Sequence, residues 1–170
     1  KKAFQNLLDN GIPVDKCSYN TFDAIETSED IEVLQHFCKK YVDKKGNPLK
    51  ITANFIMANP DFEKIKKTGF EQYYYKNFVD TYKHYQGSDD TFKAVESAIE
   101  QKTLTPQLHG REHLQVNHWL KALRLKDQET LKAFDNDVWG HPSKFGETSN
   151  INFSSAFHVT QQMDLDFAKE

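Results

Sequence analysis

The stretch that most constrains the fold is residues 104–125, LTPQLHGREHLQVNHWLKALRL. Its first part is extended in character and ends near Leu108. Pro106 and Gly110 then punctuate the chain, and an apolar pattern read as helical follows, with Leu114, Trp119, Leu120, Leu123 and Leu125. The pattern predicts a strand, a turn carrying His109 and Gly110, and a helix from about Arg111 to Leu125. A strand running into a helix is the working unit of an α/β fold. Ligand sites in such folds lie at the carboxyl ends of the strands.

Chemistry gathers in the same stretch. His109 and His113 stand four apart, a spacing that puts two side chains on one face of a helix. Two imidazoles so placed can converge on one metal ion, because a neutral ring nitrogen binds while the other is held by a neighbouring group. Gln107, Arg111, Glu112 and Asn117 are polar groups near enough in sequence to orient such ligands. With seven histidines in the chain, a pair at this spacing also arises by chance as surface or packing residues. His118 is turned off the shared face by its five-residue spacing from His113. His141 and His158 fall in a predicted loop and strand as weak candidates for an acid.

The remainder supports a mixed fold. Residues 1–10 have helical spacing, and Gly11 stops them. Thr27 or Ser28 can cap a helix whose apolar stripe is Ile31, Leu34, Phe37, Cys38 and Tyr41. Residues 49–58, LKITANFIMA, read as a buried strand, with 51–58 central in a sheet. Residues 61–67, 89–100 and 127–134 read as helices, 136–150 as a polar loop, 151–159 as a strand, and 161–170 as the start of another helix. The aromatic residues between Phe70 and Tyr85 are read as core and interface packing, with sugar stacking the functional alternative. Helices alternating with three or four strands make residues 1–170 a single α/β domain or domain fragment.

At 38% hydrophobic residues and a net charge of −3, the chain can build a core and carries no basic footprint for nucleic acid. No apolar run reaches the roughly 20 residues needed to span a bilayer. Cys17 and Cys38 are read as buried small hydrophobes, with a bridge between them the alternative.

Three segments carry a resemblance: LTPQLHGREHL, KITANFIMANPDFEKIKK and VDKCSYNTFDA. HGREH resembles the second motif of the polysaccharide deacetylase (NodB homology) family, His-Ser/Thr-x-x-His, with Gly110 in place of the hydroxyl residue. Together the segments resemble a Bacteroidetes-type group placed near those deacetylases. The resemblance implies part of an irregular (β/α) barrel, apparently incomplete at both ends. It implies metal-dependent removal of acetyl groups from a carbohydrate, with His109 and His113 binding zinc or another divalent ion and Arg111 and Asn117 supporting them. The family's third ligand and base come from an Asp pair in Thr-Phe-Asp-Asp-Gly. Here Thr21-Phe22-Asp23 is followed by Ala24 and Ile25, and Ala24 cannot ligate. The implied Asp pair is therefore expected before Lys1, which leaves Asp23 as a turn residue and a weak catalytic candidate beside Glu112 and His141. A carbohydrate-binding or structural relative without catalysis is the alternative. His109-Gly110-Arg111-Glu112-His113 also fits H-x-x-E-H, the inverzincin peptidase signature, with Glu112 as base. That reading needs an unbroken helix through both histidines.

Overall fold

The structure is a computed structural model that describes residues 2–85, 88, 90–143, 145, 151–154 and 156. His158 and the helix expected over 161–170 lie outside them, as does most of the strand expected over 151–159. The elements in chain order are α1 (Lys2–Asp9), α2 (Ser18–Phe22), α3 (Ser28–Lys40), β1 (Ile51–Phe55), β2 (Ala58–Pro60), α4 (Phe62–Lys67), β3 (Tyr75–Asn77), α5 (Phe78–Tyr82), α6 (Thr91–Glu100), β4 (Leu104–Leu108), α7 (Val116–Arg124), α8 (Gln128–Phe134), β5 (Pro142–Ser143) and β6 (Ile151–Asn152). This is a mixed α/β chain with short strands. No helix among the described residues is long and apolar enough to cross a membrane.

The chain divides into two compact units. One comprises Lys1–Asp23, Pro60–Tyr75 and His113–Glu170, the other Ala24–Asn59 and Lys76–Glu112.

The first unit is built on α7. Val116, Trp119, Leu120 and Leu123 lie on one face at helical spacing and are buried. Trp119 and Phe134 of α8 pack with ring centroids 5.5 Å apart, and Phe62 meets both rings edge-on. Ile65 and Phe153 complete this core, and Phe70, Tyr73 and Tyr74 pack against it. Those three members of the aromatic run are packing residues. A smaller cluster of Leu7, Ile12 and Val14 seats α1. Cys17 is buried with a free thiol.

The second unit holds the parallel pair β1–β4, in register Ile51 with Leu104 through Phe55 with Leu108. Parallel strands need a crossover, and α6 leads directly into β4. Helices α3 and α6 pack on each other. Their shared core is Ile31, Val95, Ala98 and Leu104. A capping box starts α3: the Thr27 hydroxyl accepts from the Asp30 N–H, and the Asp30 carboxylate accepts from the Thr27 N–H. Cys38 is buried with a free thiol.

Two expectations change here. The buried face of α3 is Ile31, Gln35 and Cys38, while Phe37 and Tyr41 are exposed, their rings in tilted contact with centroids 5.0 Å apart. Gln35 can be buried because its amide donates to the Ala94 carbonyl on α6, at 3.4 Å. The strand expected over 51–58 is not central. Its ladder ends at Phe55, it alternates between half-buried and exposed positions, and among the described residues β1 pairs only with β4.

Tyr82 anchors α5 within this unit. It is 4% exposed and donates its hydroxyl to the Glu26 carboxylate, while Ser88 and Thr91 donate to the Glu26 carbonyl at 3.1 and 3.3 Å. Burial pushes the Tyr82 phenol well above its ordinary pKa, and the hydrogen bond to Glu26 and that carboxylate's charge push it further. A phenol whose folded-state pKa is raised adds stability that is fully present below the unfolded value, about 10, and is lost as pH rises through the folded value. Urea denaturation of wild type and Tyr82→Phe across pH 8 to 11 should therefore show a steeper alkaline loss of stability in wild type. Parallel slopes would refute this role for the phenol.

Candidate functional site

The candidate segment is placed by backbone hydrogen bonds. Beyond the last pair of the β1–β4 ladder, the His109 N–H donates to the Phe55 carbonyl at 2.9 Å. Gly110 then takes φ +88°, a left-handed conformation open to glycine at little cost. The Gly110 and Arg111 carbonyls accept from Met57 and Ala58 at 3.2 and 2.8 Å. The turn is thus tied strand-like to residues 55–58 and cannot enter a helix. The helix begins at Val116, five residues later than the sequence pattern predicts. His109 and His113 are therefore not one turn apart on a helical face. The unbroken helix that the H-x-x-E-H peptidase reading requires is absent.

His109 is exposed, directly after the carboxyl end of β4, and belongs to the second unit. Glu112 closes the same unit at 8% exposure. Its two carboxylate oxygens receive Arg111 Nε at 2.9 and 2.8 Å, a shared hydrogen bond that compensates the buried charge. The Glu112 side chain is 6% exposed and that of Arg111 40%, so the cation spans from the carboxylate to solvent.

His113 lies in the first unit, half-buried, with the Tyr19 ring edge-on at 5.5 Å and 64°. Next to it, Gln115 caps α7: its side-chain carbonyl accepts from the His118 N–H at 2.8 Å. The Gln115 N–H donates to the Phe153 carbonyl at 2.7 Å. Asn117 and His118 are half-buried on the first turn of α7. His141 belongs to the same unit. It is fully buried, with its ring 5.6 Å from Phe153. Asp23 follows α2 in an extended conformation and is exposed.

The contribution the sequence did not reveal is that of α2. Tyr19 touches His113, and Asn20 donates to the Gly140 carbonyl beside His141 and to the Val14 carbonyl at 3.2 Å. One five-residue helix thus supports the surroundings of two imidazoles. Nothing in the spacing of SYNTF announces this role.

Among the described residues no group of three or more His, Cys, Asp or Glu is arranged to hold a metal ion. Compared with family models, curated proteins and solved structures, the chain matches none.

The Arg111–Glu112 pair gives a direct test. Arg111→Met leaves a nearly buried carboxylate without its cation and should cost about 1–3 kcal/mol in urea denaturation. Adding Glu112→Gln should recover part of that loss, because the charge requiring compensation is gone. Strict additivity of the two changes would show that the pair does not interact energetically.

Proposed function

We propose that the protein is a metal-dependent hydrolase that removes acetyl groups from a carbohydrate, resembling the polysaccharide deacetylases, and that it forms part of a (β/α) barrel of that type. Its proposed metal ligands are His109 and His113, for zinc or another divalent ion. The observation that carries the reading is the position of HGREH. Its first histidine directly follows the carboxyl end of a parallel strand, where α/β folds place their ligand sites. The resemblance of three segments of the chain to one family supports the same reading.

A bound ion would polarise a water and the scissile carbonyl. The chain's own contribution is to hold the segment: the Gly110 turn fixes His109, Tyr19 packs on His113, and Arg111 neutralises Glu112. A catalytic zinc site needs three protein ligands and an open position. The described residues do not fit that requirement by themselves, since no three donors are assembled. The reading therefore calls for a further carboxylate ligand, and no catalytic step is assigned to His141 or Asp23. The same observation favours a second reading, a carbohydrate-binding relative without catalysis.

Metal content and acetate release separate the two. The full-length protein should purify with about one equivalent of divalent metal and release acetate from acetylated oligosaccharides. His109→Ala with His113→Ala should abolish metal retention and lower acetate release by about 100-fold, with an unchanged circular dichroism spectrum. Saturable oligosaccharide binding without metal or acetate release would establish the non-catalytic reading instead.

A further inference from the structure

The second unit contains a pocket that the hydrolase reading does not use. Its volume is about 270 Å³. Three aromatic rings form its wall. Phe55 of β1 and Phe78 of α5 lie 5.6 Å apart, and Phe92 of α6 meets Phe78 edge-on at 5.8 Å. Val95 and Ile99 of α6 and Pro106 of β4 continue the apolar lining. At the mouth, Met57 is 37% exposed and Leu108 70%. Gln107 is the one lining residue with a polar side chain, and none is charged.

These features decide what the pocket can take. A buried water requires two to four polar partners. The pocket offers one polar side chain, so water gains little there. An ionised group would be desolvated with no counter-charge. A second protein copy would need roughly 20–30 residues on each side for a stable interface, far more than line this concavity. The volume lies just under the range of about 300–1,000 Å³ typical of small-molecule sites. We propose that this pocket binds the uncharged hydrocarbon end of a small molecule, of one or two fused rings or a medium-length chain, with the Gln107 amide serving one polar atom at the edge. The proposal is independent of any metal at His109 or His113.

The test is a fluorescence titration of the full-length protein with N-phenyl-1-naphthylamine. Saturable one-to-one binding with a dissociation constant on the order of 10 μM is expected for a probe of this size. Decanol should displace the probe. Met57→Asp with Leu108→Asp, both at exposed positions, should weaken binding at least about tenfold while the circular dichroism spectrum and melting temperature hold. His109→Ala with His113→Ala should bind the probe as wild type does, which keeps this result separate from the fate of the hydrolase reading. Absence of saturable binding, failure of decanol to compete, or equal affinity in the mouth variant would overturn the proposal. So would concentration-dependent self-association in sedimentation that the probe does not reverse, since a second copy would then be the occupant.

Discussion

The arrangement of the candidate segment depends on one constraint, the parallel pairing of β1 with β4 and its continuation past both strands. A parallel ladder is set only after a long crossover, so it fixes residues far apart in sequence. Here it brings residues 55–58 beside 109–111 through three further backbone bonds. The His109, Met57 and Ala58 N–H groups, which lie beyond the ladder, are thereby given partners. The left-handed Gly110 is what lets the chain turn while those bonds form. The backbone position of His109 follows from main-chain hydrogen bonding.

The sequence showed the elements whose signals are local. A cap at Thr27 or Ser28, the strand ending at Leu108 and the turn at Gly110 were all readable, because cap, strand and turn preferences act within a few residues; that Thr27 caps, in a box with Asp30, is seen only in the structure. The start of α7 was not. Residues 111–115 suit a helix individually, but the Gln115 N–H is committed to the Phe153 carbonyl and the Arg111 carbonyl to Ala58. Long-range bonds outweigh the few tenths of a kcal/mol by which helix propensities differ among ordinary residues. The strand over 51–58 failed for a related reason. Its apolar run continues past Phe55, but a single partner strand cannot bury both faces.

The α3 helix shows where periodicity misleads. Phe37 and Tyr41 look like core by composition, yet Gln35 takes the buried position between Ile31 and Cys38. A buried amide is tolerated when it finds an acceptor, and the Ala94 carbonyl supplies one. The two aromatics shield part of each other by a tilted ring contact instead. Hydrophobicity identified which residues could be inside. Only the position of the facing helix decided which of them were.

Glu112 sharpens the reading of the HGREH segment. Burying a carboxylate costs several kcal/mol, and pairing it with a cation does little more than offset that cost. The Arg111–Glu112 pair is therefore poorly explained as a source of stability. It is better explained as the contact that lets the Glu112 carboxylate be buried beside the exposed Arg111 side chain. Glu112 and Arg111 thus hold each other at the close of the second unit, one buried and the other reaching solvent.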